Sequence, residues 1–329
     1  MDIEKGFNAD GLVLSEGYAQ TMNGAVLPRL AACRTDMTVA GDGGRPLFTS
    51  RFDAKDPVGT VVIVHGFTEN ADKYAELIHS LLCNRYSVCA YDQRGHGRSW
   101  RAEGLDDIST THVDDFDEYV RDLKCVCDQT LSGMPRPWLL FAHSMGGAVS
   151  ALFMERYEGV IDRAALCAPM IAANLGVLPE GAARLMCDIA NRLGNGKKRI
   201  PGSRPYSGPE DFATSCATGR ERFDWYDGLK ARVPEFRNNG PTYGWTRQAI
   251  RASHMVLASG AVERIGVPVR LFTAEDDGSV LPGPQEAFVR RLRDGQRTLV
   301  KGSKHEIYRS PDSVLFPWWH GILEFYSQA

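Results

Sequence analysis

Residues 60–64 read Thr-Val-Val-Ile-Val, and this unbroken β-branched run constrains the fold more than any other stretch. A half-exposed strand alternates apolar with polar residues. A run that is apolar on both faces reads as a strand buried on both sides of a parallel sheet. Parallel neighbours need long crossovers, usually helical, so the chain around it should alternate strands with helices. It does. A helix is expected near 73–84, a strand at 86–91, and a helix over 113–131 with Phe116, Tyr119, Val120, Leu123 and Cys127 on one face. Strand 138–142 leads into helix 145–157, and strand 162–168 follows. Later come strand 267–273, helix 284–293, strand 296–300 and a closing helix over 311–327. Ahead of the run, strands 34–40 and 45–52 flank a Gly-Asp-Gly-Gly turn and read as a hairpin. Residues 16–33 place Tyr18, Met22, Val26, Leu30 and Cys33 at helical spacing, with Pro28 as an interruption. The expected fold class is α/β, a mostly parallel central sheet flanked by helices.

Residues 171–255 break this rhythm, being rich in Gly, Pro, Arg and aromatics without strand alternation. They read as an insertion, mainly short helices and loops, lying over one edge of the sheet, since an unstructured loop of that length is out of place in a compact domain. The division that follows is a helical extension at 1–33, a core at 34–170 and 256–329, and a cap at 171–255. A chain of 329 residues is long for a single core, which accords with a domain carrying an insertion.

Hydrophobic residues make up 43% and charged residues 24%, which excludes a disordered chain. A net charge of −3 gives no electrostatic footprint for nucleic acid. No apolar run approaches the roughly 18 residues of a membrane span. The opening Met-Asp-Ile-Glu-Lys-Gly-Phe-Asn-Ala-Asp has no apolar leader segment, and the eight cysteines are scattered, so reduced thiols and a cytoplasmic location are expected. Cys125 and Cys127 form a lone C-x-C without a second pair at zinc spacing and read as helix thiols; no metal is expected.

The chemistry starts at Trp-Leu-Leu-Phe-Ala-His-Ser-Met-Gly-Gly, residues 138–147. A strand, a serine and a glycine-opened helix make a tight turn that lifts the Ser144 hydroxyl above the strand ends, while small residues such as Gly146 let the helix pack close. The Met145 N–H then points to where an oxyanion would form, aided by the helix N-terminus. The loop after the 60–64 strand, His65-Gly66-Phe67, supplies a second such donor in the Phe67 N–H, with Gly66 permitting close approach. His65 and His143 read as support rather than as bases. A serine hydroxyl needs a histidine base oriented by a carboxylate, arriving in the order serine, acid, histidine. Strand ends at 271–280 and 301–310 deliver an acidic turn holding Asp276 and Asp277, and His305.

Together these segments resemble α/β-hydrolases of the monoacylglycerol lipase and lysophospholipase type, the hydrolase 4 or serine aminopeptidase S33-like group. The similarity runs from about residue 34 to the end. It rests on HGFTEN (65–70), YDQRGHGRS (91–99), AHSMGG (142–147), LCAP (166–169), the acid loop and GSKHEI (302–307). Two insertion segments, FATSCATGRERFDWY (212–226) and GPTYGW (240–245), look most like bacterial lysophospholipase L2-like proteins. The resemblance implies an α/β-hydrolase fold with a cap over the active site, and hydrolysis of a single-chain lipid ester through an acyl-serine without a cofactor. Related acid loops read G-x-x-D-x-x-V, and setting Ala274 and Val280 at its ends places the acid at Asp277. Asp92, Arg94, Gly95, His96 and Gly97 would shape the loop beneath the pocket. One departure is Ala142 in place of the usual glycine, which adds a methyl where strand and helix pack closely.

The cap offers Trp225, Tyr226, Tyr243 and Trp245 as candidate substrate contacts, and Phe212 and Phe223 as further apolar surface. Lys197, Lys198, Arg199 and Arg204 could meet anionic headgroups in a transient contact with the inner face of a membrane. The expected partner is a small lipid ester, either lysophospholipid or monoacylglycerol. The same triad also serves peptidases and thioesterases, whereas a non-catalytic binding module would have no reason to retain every member.

Overall fold

The computed structural model describes residues 6–329, so the first five residues of the opening segment lie outside the described residues. Ten strands occur in chain order: β1 (Arg34–Ala40), β2 (Pro46–Phe52), β3 (Gly59–Val64), β4 (Tyr86–Tyr91), β5 (Thr110–Thr111), β6 (Trp138–His143), β7 (Arg163–Cys167), β8 (Gly240–Pro241), β9 (Val269–Asp276) and β10 (Gly295–Lys304). Eight of them form one sheet in the order β1-β2-β4-β3-β6-β7-β9-β10. The β1–β2 and β2–β4 pairings are antiparallel. Every pairing from β4 through β10 is parallel. Every residue of β3 is buried, as the β-branched run requires.

The chain leaves β3 toward β4 on one side and returns to place β6 on the other. This reversal opens a crevice beyond the carboxyl ends of β3 and β6, where ligands bind in open sheets of this kind. The loops that follow those two strands carry Phe67 and Ser144.

The helices are α1 (Tyr18–Thr21), α2 (Leu27–Cys33), α3 (Ala75–Cys83), α4 (Asp117–Thr130), α5 (Met145–Arg156), α6 (Glu180–Arg192), α7 (Arg220–Arg232), α8 (Tyr243–Val256), α9 (Pro282–Arg291) and α10 (Asp312–Ser327). The expected face of α4 is buried at Phe116, Tyr119, Val120, Leu123 and Cys127.

Two expectations need correction. Pro28 does not interrupt the N-terminal helix, because a π turn over Met22–Val26 joins α1 to α2. Pro28 falls in the first turn of the new segment, where its missing N–H costs nothing. The cap is also not built mainly of short helices: α6 and α7 have 13 residues each and α8 has 14. It further contributes β8, paired with β5 of the core, a two-residue contact too short to leave a periodic signal.

Candidate active site

Ser144 sits between β6 and α5 at φ 50° and ψ −118°, a conformation that costs a non-glycine residue roughly 1–3 kcal/mol. Three backbone bonds hold it there. Ser144 N–H donates to the Cys167 carbonyl (3.1 Å), and the Ser144 carbonyl accepts from Gly147 and Met170 (2.8 Å each). At about 1 kcal/mol net apiece, such bonds match the strain. The glycines after it are steric requirements. A Cβ on Gly146 would stand 2.1 Å from the Val64 carbonyl oxygen, and one on Gly147 would stand 2.3 Å from Pro169 Cβ. Ala142 is fully buried, in register between Val64 and Leu166, and its methyl joins the core.

The Ser144 Oγ lies 2.8 Å from His305 Nε2, and His305 Nδ1 lies 2.9 Å from Asp277 Oδ2. An Nδ1–H donor to the carboxylate leaves Nε2 to accept the serine proton. Of the two adjacent acids, Asp276 is exposed at the end of β9. Asp277 Oδ1 accepts from the N–H groups of Ser279 (2.9 Å) and Val280 (3.1 Å), which aims Oδ2 at His305. Burial opposes the Asp277 charge, yet His305 and those two amides outweigh it and hold the carboxyl below its ordinary value.

Met145 opens α5, so its N–H is one of the donors left unpaired at a helix start. The Phe67 N–H meets no acceptor among the described residues. Gly66 is pressed against the elbow, since a Cβ there would stand 2.8 Å from His143 Nδ1 and 3.0 Å from Ser144 Cβ. His65 is structural: Nδ1 lies 2.8 Å from the Gly66 carbonyl and Nε2 accepts from Gln93 N–H. Burial lowers its pKa to about 4, so it stays neutral.

Sequence reasoning passed over Glu69. Its buried carboxylate accepts from Gly66 N–H (2.5 Å), Tyr74 OH (2.5 Å) and Tyr308 OH, and pairs with His143 Nδ1 (3.0 Å) and Lys73 Nζ (3.0 Å). His143 Nε2 in turn reaches the His305 carbonyl at 3.2 Å. One carboxylate therefore links the Phe67 loop to the His305 loop. Burial works against charge on both partners, but their mutual attraction prevails, lowering the Glu69 pKa and raising that of His143. The only sequence signal was an acid in HGFTEN four residues ahead of a lysine, which many exposed helix starts share.

The four cap aromatics go to different places. Trp245 lies against Phe67 with centroids 4.0 Å apart and the rings tilted by 37°, beside the loop that follows β3. Tyr226 accepts from Asn70 and lies under Lys73 at the cap–core junction. Tyr243 lines an outer groove against α6. Trp225 is turned away from the serine toward the N-terminal segment, edge-on to Tyr18 and bonded to Asn23. Its expected role in substrate contact is replaced by an anchoring one, because α7 buries the face that carries it. In the basic run, Arg199 is taken up by Asp107 and Ser109 (3.0 and 2.6 Å), and Lys197 donates to the Glu103 carbonyl. Among the described residues, no group of three or more His, Cys, Asp or Glu side chains could hold a metal ion.

Against known proteins, the family described as serine aminopeptidase, S33 matches residues 55–312. The chain belongs to that family. Lysophospholipase L2 of Escherichia coli K12 is 32% identical over 316 residues, covering 90% of this chain and 88% of that protein. A monoacylglycerol lipase of Mycolicibacterium smegmatis is 29% identical over 174 residues, 52% of this chain and 58% of that one. Among solved structures, a soluble variant of the Saccharomyces cerevisiae monoglyceride lipase superposes with a TM-score of 0.71 at 17% identity, covering 89% and 94% of the two chains. At that identity the likeness speaks for the fold, the α/β-hydrolase architecture that this S33 member shares.

Proposed function

We propose that the protein is a serine hydrolase that cleaves carboxylic esters of single-chain lipids, lysophospholipids or monoacylglycerols, through an acyl-serine. The observation that carries this reading is the chain Asp277–His305–Ser144, at 2.9 and 2.8 Å, set beside two amides at the sheet's switch point. His305 Nε2 takes the Ser144 proton as Oγ attacks the ester carbonyl, and the resulting oxyanion sits between the N–H groups of Phe67 and Met145. Collapse expels the alcohol with the proton from His305. Water, deprotonated by the same nitrogen, then releases the fatty acid and restores Ser144. The lysophospholipase and monoacylglycerol lipase relatives, together with the Phe67–Trp245 apolar wall, support a lipid acyl group.

We also assign the outer face of α6 to an anionic membrane surface. Leu185 (59% exposed), Ile189 (47%) and Leu193 (71%) form an i, i+4, i+8 stripe over a groove of about 660 Å³. Residues 177–199 carry five basic side chains against two acidic ones, and with Arg199 paired to Asp107 four basic side chains remain for the rim, in a chain whose net charge is −3. Apolar side chains inside a basic rim complement anionic lipid. No helix among the described residues is long and apolar enough to cross a membrane. The half-buried free thiols of Cys33, Cys125 and Cys216 support a reducing compartment, the cytoplasmic face.

A fluorophosphonate probe with a panel of 1-monoacylglycerols, lysophospholipids and aminoacyl amides tests the reading. Expected are one adduct lost in Ser144→Ala and turnover of the lipid esters. An adduct that survives the substitution, or turnover of aminoacyl amides alone, overturns it.

A further inference from the structure

A second cavity, about 410 Å³, lies at the junction of cap and core. Three of its walls are neighbours of the reacting groups. Thr68 follows Phe67 in the chain, Glu306 follows His305, and Cys216 accepts from Glu306 N–H through its carbonyl while its Sγ lies 3.7 Å from Ser279 Oγ in the acid loop. The volume is more than tenfold the ~30 Å³ share of one water, so it holds a group of several heavy atoms.

We infer that this cavity receives the alcohol half of the ester, its headgroup, and that the preferred headgroup is polar with no net charge, a zwitterionic phosphoester or a polyol. The inference rests on the lipid-esterase reading above. The alcohol oxygen departs with the proton held by His305, and Glu306, the next residue in the chain, lines the cavity. The lining excludes the acyl chain, because an alkyl chain laid against Lys73, Glu306 and Arg309 would strip them of water and return no hydrogen bond.

The charge of the lining selects among headgroups. Lys73, Lys230 and Arg309 face Glu210, Asp211 and Glu306, three cations against three anions. The three cations pair with two of the anions, Lys73 Nζ 2.6 Å and Arg309 Nη1 2.6 Å from Glu306 and Lys230 Nζ 2.5 Å from Glu210, while Asp211 Oδ1 accepts from Ala213 N–H. A net anion entering here would gain from three cations and lose to three anions. A dipolar or hydroxylated group finds partners of both kinds.

The test uses the outer ion pair, Lys230 and Glu210, in two opposite variants. Each enzyme is assayed at low ionic strength on one acyl chain carried by lysophosphatidylethanolamine, monoacylglycerol and lysophosphatidic acid. The readout is kcat/KM on the anionic lipid divided by that on each neutral one, a ratio from which any misfolded fraction cancels. Glu210→Gln makes the lining net positive and should raise both ratios about fivefold. Lys230→Met makes it net negative and should lower them by a similar factor. The arm with the larger wild-type kcat/KM, zwitterion or polyol, identifies the native headgroup. Ratios that stay within about 1.5-fold of wild type in both variants, or that move in the same direction, overturn the headgroup cavity while leaving the esterase standing. A wild-type enzyme that turns over none of the three lipids overturns both.

Discussion

The cap contains two helices of equal length with opposite fates. On α7, Arg222 is buried and bonds both oxygens of Glu76 at 2.9 Å, Asp312 at 2.8 Å and the Val13 carbonyl at 2.7 Å. Arg309 donates to the Phe223 carbonyl at 3.1 Å. This helix is thereby tied to the N-terminal segment, to α3 and to α10, and it forms a fixed wall of the headgroup cavity. By contrast α6 packs on α8 and leaves leucines in solvent. Amphipathic pattern alone would have ranked them the other way, since α6 has the cleaner apolar stripe and α7 buries arginine, lysine and aromatics. The lesson is that part of an apolar stripe can be reserved for a partner, while charged residues can anchor when partners meet them.

The largest expected effect tests the anchor. Arg222→Met leaves Glu76 buried without its cation, so urea denaturation should show a loss of about 3–5 kcal/mol. Arg192→Met on α6 should change stability by less than about 0.5 kcal/mol. Similar losses in both would erase the distinction.

A smaller effect should appear on acidification. The Glu306 and Asp312 carboxyls that support α7 are held below their ordinary values; burial opposes this, but Lys73 and Arg309 prevail at Glu306, and Ser15 and Arg222 at Asp312. A folded pKa below the unfolded one gives stability that is present above the unfolded value, near 4, and lost as pH falls through the folded value. Hydrogen exchange, corrected for intrinsic rates, should show α7 losing protection below about pH 4 ahead of the α6–α8 contact, whose Asp188–Arg247 pair is more exposed and contributes less. Opening of α6 first would reverse the comparison.

The smallest effect on stability should carry the clearest effect on location. Leu185→Gln with Leu193→Gln should leave the free energy of unfolding in urea within about 0.5 kcal/mol of wild type. It should lower co-sedimentation with anionic vesicles at least about tenfold, since tenfold needs only about 1.4 kcal/mol in total and full burial of one leucine is worth roughly 1.5–3 kcal/mol. Unchanged vesicle binding would take α6 out of the membrane.

Much of this was legible in the chain. The β-branched run, the strand–serine–helix junction and the late acidic and histidine turns each follow from local rules of period, turn geometry and chain order. Local sequence therefore determined the sheet, the elbow and the identity of the candidate residues. Adjacent Asp276 and Asp277 are chemically equal, and the loop pattern of the resemblance favoured Asp277; two backbone N–H groups of the folded turn supply the physical reason, by aiming it at His305. Glu69 looked like any surface acid until two loops more than two hundred residues apart closed over it, and Trp225 looked like a substrate contact until α7 was anchored. Those assignments waited on tertiary structure because they depend on which groups lose their water together, and the distance that decides this is measured through space.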